Sequence, residues 1–293
     1  MTSVSVLLLA GLAVVLAGVA PRVMARFTVF RRCPGPALLV WQAVSLAAVA
    51  AALLVAPVAW WSLTDREPVL LTLAVLLTTG MLVQVLRSGH RVGTGLRERR
   101  RRHRDLVDVL GTPDAPVQGT QTLAQQPGLR VVDHPSPTAY CLPGLDHRIV
   151  LSAGILDRLA PDEIDAVLAH ERAHLGARHD LVLELFTVLH RAVPSLLRCE
   201  VALAETRLLV EALADRSAIR HVGARPLARA LVALHGGQHP EAALGAGSDA
   251  SLTRTRLELI ADAATPRRAQ AVAMVTFAAG VTLAPWVLVA LSL

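Results

Sequence analysis

His170-Glu171-Arg172-Ala173-His174 decides how this chain is read. The run has the form H-E-x-x-H. On an α-helix, residues four apart sit one above the other on a single face. Two imidazoles so placed reach one zinc ion at about 2.0–2.1 Å. Glu171 projects beside them, where a metal-bound water would sit. Zinc brings the pKa of such a water to about 7, and a carboxylate can then take its proton. His170 and His174 are therefore expected as metal ligands and Glu171 as a general base, the arrangement of a zinc peptidase. The competing reading is a solvated helix carrying a polar His/Glu/His stripe.

The flanking residues argue for a packed helix. Pro161-Asp162-Glu163 is a helix start, with proline in the first turn and two acids at the positive end of the dipole. Ile164, Val167, Leu168 and Leu175 repeat at helical spacing and supply an apolar face.

Working outward, the chain becomes too apolar for an ordinary soluble domain. It is 53% hydrophobic and 18% charged, with a mean hydropathy of +0.49. The apolar residues are gathered in runs. Residues 4–20, 37–61, 69–86 and 269–293 each reach or approach the roughly 20 residues that cross a bilayer. No Lys or Arg precedes the first run, so it is expected as a retained span and not a signal peptide. Arginines cluster between the first two runs (Arg22, Arg26, Arg31, Arg32), after the third (Arg87 to Arg104) and before the fourth (Arg267, Arg268). The positive-inside rule puts all three clusters on the cytoplasmic side and both chain ends outside.

The net charge of +6 is thus explained by the lipid bilayer as partner. Residues 89–104 form a basic juxtamembrane segment suited to anionic headgroups. No aromatic residues interleave it, so nucleic acid is not expected. Cys33, Cys141 and Cys199 give no disulfide framework and no C-x-x-C metal site, and are read as small packing residues.

The expected architecture is an α-helical multi-pass membrane protein carrying an α+β cytoplasmic domain over 105–266. Within that domain, 129–132, 138–142 and 148–152 read as strands, the last two joined as a hairpin across 143–146. Residues 180–193 read as a core helix stopped by Pro194, too short to cross a membrane. Residues 236–248, rich in Gly and Ala, read as a loop.

A third ligand should come from a neighbouring helix. Glu211 and Asp215 stand four apart in Glu211-Ala212-Leu213-Ala214-Asp215, and two carboxylates on one face repel unless a cation lies between them. A metal held by Glu211, with Asp215 accepting a ligand histidine N–H, removes that conflict. A solvated Arg207–Glu211 pair is the alternative, and Glu200 and Glu205 are the other acidic candidates. An oxyanion stabiliser is also required. Tyr140, His221, His239 and Arg256 are the residues considered for it.

The order of strand hairpin, H-E-R-A-H and E-A-L-A-D resembles the gluzincin membrane peptidases, among them the HtpX-type and CAAX-processing proteases. Residues 138–144 followed by 149–152 look like their approach to the metal helix, with Thr138 where those relatives usually have Asn. The chain is similar over nearly its whole length to the beta-lactam and methicillin-resistance sensor-transducers, actinobacterial branch. These combine three spans, a cytoplasmic zinc protease domain and a fourth span.

The resemblance implies a zincin-like domain, Zn2+ as cofactor, ligands His170, His174 and Glu211, base Glu171, and Asp215 as supporting carboxylate. It implies cleavage of a protein or peptide substrate, a cytoplasmic transcriptional repressor. Those relatives carry an extracellular penicillin-binding domain after the fourth span, whereas this chain ends at Leu293. Any sensor is therefore expected as a separate protein. Two other readings stand beside this one: membrane-protein quality control by proteolysis, and a non-catalytic scaffold or signal relay with a structural zinc. An intramembrane protease is disfavoured, because Asp162, Glu163, Asp165, Arg172, Arg178 and Asp180 surround the motif and are costly in lipid.

Overall fold

The computed structural model of the chain describes residues 2–63, 67–113, 128–144, 146–234, 250–263 and 267–292. In chain order these form α1 (Thr2–Val14), a π-helical turn (Val15–Val19), α2 (Ala20–Met24), a 3-10 turn (Thr28–Arg32), α3 (Pro34–Leu63) and α4 (Pro68–Leu110). Strands β1 (Gly111–Pro113), β2 (Leu129–Val132), β3 (Ala139–Leu142) and β4 (Arg148–Ser152) follow. The chain then continues through α5 (Ala153–Arg158), α6 (Pro161–Gly176), α7 (His179–Ala192), α8 (Glu200–Val222), α9 (Ala224–Leu234), α10 (Ala250–Ala261) and α11 (Arg268–Ala290). They divide into two compact units. One gathers Met1–Gly93, Glu184–Thr206 and Arg267–Leu293; the other gathers Thr94–Leu183 and Arg207–Pro266.

The first unit holds the long apolar helices. Val4–Met24, Pro34–Leu63, Pro68–Leu110 and Arg268–Ala290 are each long and apolar enough to cross a membrane, which makes the chain compatible with a membrane protein. In this unit α3 packs against both α1 and α11. Its buried face is rich in alanine (Ala37, Ala47, Ala51, Ala59). Small side chains of this kind let helices approach closely where lipid offers no hydrophobic drive. Pro57 interrupts the ladder inside α3. Thr78 of α4 repairs it locally: its Oγ1 accepts from Ala56 N at 3.0 Å and donates to Ala52 O at 2.9 Å.

Two features differ from the sequence expectation. The third apolar run and the basic segment form one uninterrupted helix, α4, because no proline lies inside it to break the ladder. The apolar stretch expected as a core helix of the soluble domain is α7, and its second half, with the start of α8, belongs to the unit of long apolar helices. Hydropathy alone treats all short apolar helices alike.

The second unit is built on a sheet of order β1-β2-β4-β3 among the described residues. β3 and β4 pair antiparallel, Tyr140 opposite Val150, as the hairpin signal predicts. β2 lies parallel to β4. β1, which the sequence did not suggest, is an edge strand, where the missing N–H of Pro113 is tolerated. Period-two alternation sorts the side chains. Ala139, Cys141, Ile149 and Leu151 face a core with Ile164, Val167 and Leu168 of α6. Tyr140, Leu142 and Val150 face the other way, onto Val107 of α4. Each fully buried aliphatic side chain of this core contributes about 1.5–3 kcal/mol.

Gly154, just after β4, is indispensable for space. A Cβ there would stand 2.0 Å from Pro135 O, while its N–H donates to His134 O at 3.0 Å. Gly154→Ala is expected to cost about 3 kcal/mol through backbone displacement, read as a lowered Tm of the purified protein; an unchanged Tm would show that the 133–138 loop yields freely.

Candidate metal centre

α6 begins at Pro161, where Glu163 accepts a hydrogen bond from Ala160 N–H at 3.0 Å and fixes the first turn. Its apolar residues pack on the sheet, which turns His170, Glu171 and His174 inward; all three are buried. α8 carries Glu211 and Asp215, also buried. Ala218 of α8 packs on Ala166 and Ala169 of α6, and side chains this small allow the close approach.

His170, His174 and Glu211 each offer one ligand atom, all within 4.8 Å of one another, and could hold a metal ion. The two Nε2 atoms are 3.1 Å apart. Glu211 Oε2 lies 3.4 Å from His170 Nε2, and Glu211 Oε1 lies 3.5 Å from His174 Nε2. A tetrahedral zinc with bonds of about 2.0–2.1 Å requires ligand–ligand edges of about 3.3 Å. The donor set therefore fits zinc in chemistry and in spacing. Glu211 is not paired with Arg207, whose side chain is exposed. Glu205 pairs with Arg31, and Glu200 is exposed beside His190.

Behind these three candidate ligands lies a second layer. His170 Nδ1–H donates to Asp215 Oδ1 at 2.9 Å, which leaves Nε2 free for a metal. Arg256 of α10 grips Asp215 with two bonds, Nε to Oδ2 at 2.8 Å and Nη2 to Oδ1 at 2.6 Å. Its third nitrogen, Nη1, lies 3.2 Å from Glu211 Oε2. Considered from sequence as an oxyanion stabiliser, Arg256 instead fastens the two carboxylates from α8.

Two residues at the site were not anticipated. His179 Nδ1 lies 3.1 Å from His174 Nδ1. A metal on His174 Nε2 would leave the ring proton on Nδ1, placed to be donated to His179 Nδ1. Arg178 makes this possible by adopting a left-handed φ of 50° at the break between α6 and α7. Cys141, read as a packing residue, lies near enough to Glu171 for that carboxylate to raise its thiol. The sequence signal for both was local: a histidine just past a helix break, and a strand position of the same parity as the core residues.

The other oxyanion candidates separate from the ligands. Tyr140 lies on the opposite sheet face and bonds His103 at 2.8 Å, a consequence of strand alternation. His221 is exposed and its Nδ1 donates to Ser217 O at 2.8 Å, closing the end of α8. His239 lies outside the described residues, as does the 236–248 loop. The basic run is divided too. Arg100 pairs with Asp180 at 3.3 Å, and Arg104 donates to Pro143 O at 3.2 Å, whereas Arg97, Arg99, Arg101 and Arg102 are exposed.

The electrostatics are those of a cation site. Burial pulls His170 down most strongly, but the Asp215 and Glu211 carboxylates more than offset it and hold His170 up at about 10. Burial pushes Glu211 up, yet the neighbouring His174 and Arg256 keep it well below the carboxylate range. His179 is lowered to about 4, first by burial and then by His174, so it stays neutral and accepts. Burial first, then the Glu171 charge, raises the Cys141 thiol, which keeps its proton.

A testable consequence concerns protons. His170 is raised, so in the metal-free protein it is protonated throughout pH 6–8, and a metal must displace that proton. Zinc binding near pH 7 is expected to release about one proton from this group, with affinity rising toward pH 10. Calorimetry in buffers of different ionisation heat reads the number; zero protons released would show that His170 is already neutral in the metal-free protein.

Residues 115–234, which include both histidines, Glu171, Glu211 and Asp215, match Peptidase family M48. The match supports a metallopeptidase domain, and peptidases of that family are typically zinc-dependent. Comparison with curated proteins and with solved structures gave no match.

Proposed function

We propose that this chain is a zinc endopeptidase held in the cytoplasmic membrane and cutting a protein or peptide on the cytoplasmic side. The buried His170–His174–Glu211 triangle, with Glu171 beside it, carries this reading. Zinc bound there supplies Lewis-acid polarisation of the scissile carbonyl and an acidified water. Glu171 accepts the proton of the attacking water and passes it to the leaving amine. Asp215 holds His170 in the tautomer that presents Nε2, and His179 does the same for His174. β3 is an edge strand among the described residues, and an extended substrate adding to its open side would lie along the α6 motif. The arginine clusters favour both chain ends outside and the peptidase domain inside.

The substrate class is read from the resemblance to the sensor-transducers: a cytoplasmic repressor. The test is metal-dependent cleavage. Detergent-purified protein should contain about one zinc per chain, cut an extended peptide or a winged-helix repressor, lose that activity to a chelator and regain it with zinc. Cleavage that survives complete zinc removal would overturn the assignment.

A further inference from the structure

Residues 184–206 are not used by the chemistry above, and they belong to the compact unit of the long apolar helices although residues of the other unit flank them in sequence. Phe186 and Leu189 line one small cavity together with Leu16, Ser45 and Ala48. The depth of Ala48 can be bounded. α3 has 30 residues, about 45 Å of helix against a hydrocarbon thickness of about 30 Å. Ala48 is about 21 Å along α3 from Pro34. Even with all the excess length on the Pro34 side, Ala48 lies inside the hydrocarbon.

The turn between α7 and α8 is fitted to α1 and α2. Gly18 lies in the π-helical turn, and a Cβ there would stand 3.3 Å from Leu197 Cδ2. Arg22 donates to Gly18 O at 2.7 Å, Leu197 O at 2.9 Å and Arg198 O at 3.0 Å. Arg198 donates to Arg191 O at 3.1 Å and Val193 O at 3.0 Å. Two arginines thus satisfy the carbonyls that α7 and the turn leave open, a requirement in lipid, where water cannot do so. Ser88 Oγ donates to Val188 O at 2.8 Å, which sets α7 at the arginine-rich end of the third apolar run. Against this satisfied backbone the outward side chains are of two kinds: Leu185, Leu196 and Val201 are apolar, while Arg191, Ser195 and Glu200 are polar and suited to the headgroup layer. Leu196 at the tip is 88% exposed, and Leu185 and Val201 are exposed as well.

We propose that residues 184–206 form a hairpin seated in the cytoplasmic leaflet, with Leu185, Leu196 and Val201 among the acyl chains. The partner of this surface is lipid. The proposal rests on the membrane reading of the four long helices. In sequence the hairpin falls between His174 and Glu211, so the second and third metal ligands flank a lipid-bound segment.

Nitroxide accessibility in liposomes tests it. The full chain, with its three buried cysteines replaced, would carry a spin label at Leu196→Cys, at Val201→Cys, at Leu76→Cys within the third span, or at Asp157→Cys on the peptidase domain. At Leu196 and Val201 the ratio of oxygen to nickel-chelate collisions should match Leu76 and exceed Asp157 several-fold. A ratio like that of Asp157 would overturn the hairpin while leaving the spans intact. Low collision with both reagents would also overturn it, in favour of a protein partner. A water-like ratio at Leu76 as well would mean that the membrane reading itself has failed.

Discussion

Glu171→Gln is expected to lower kcat/KM by about 10²–10⁴-fold, the range typical of a removed general base, while zinc content stays at the wild-type level. Glutamine keeps the volume of the side chain and the acceptor that faces the Cys141 thiol, but it cannot take a proton. Glu171 is also outside the ligand triangle, so nothing in the metal geometry should change. The contrast is Glu211→Ala, which removes one corner of that triangle and should lose zinc and activity together. Metal analysis and a cleavage assay on the same preparations separate the two roles. A Glu171→Gln protein that still cuts at an appreciable rate would show that another group takes the proton; one that loses zinc would make Glu171 a ligand.

The clustering of His170, His174 and Glu211 was legible in the sequence because helices translate spacing directly into geometry. Residues four apart on α6 and again on α8 had to share faces, and two apposed carboxylates demanded a cation. The hairpin β3–β4 was legible for the same local reason. What the sequence did not reveal depends on contacts between distant segments. Arg256 is separated from Asp215 by 40 intervening positions, and no periodicity tells a guanidinium which carboxylate it will meet. Tyr140 and Cys141 are neighbours, yet alternation sends one to His103 and the other to Glu171, and that choice depends on which sheet face meets α6. His179 required a left-handed residue, Arg178, where glycine would be the usual signal. The second half of α7 was misplaced because its companions, Leu16 and Ala48, lie more than a hundred positions away.

Arg256→Ala is expected to destabilise the folded protein by about 3–5 kcal/mol, since it strands two buried carboxylates, and to weaken zinc binding about 10–100-fold. The second effect follows from the order of contacts. Arg256 fixes Asp215 by two bonds, Asp215 fixes the Nδ1–H of His170, and His170 presents Nε2 to the metal. If the three act in series, removing any link frees the same imidazole. Asp215→Asn should then cost a similar factor in zinc affinity, and the double variant should cost no more than the worse of the two alone. Arg256→Lys restores the charge without the planar fork, so it should recover much of the stability and less of the affinity. Chelator competition on the four proteins reads the zinc term, and thermal unfolding of the metal-free forms reads the other. Multiplying losses in the double variant would mean that Arg256 acts on Glu211 directly and independently, through the 3.2 Å contact of Nη1 with Oε2.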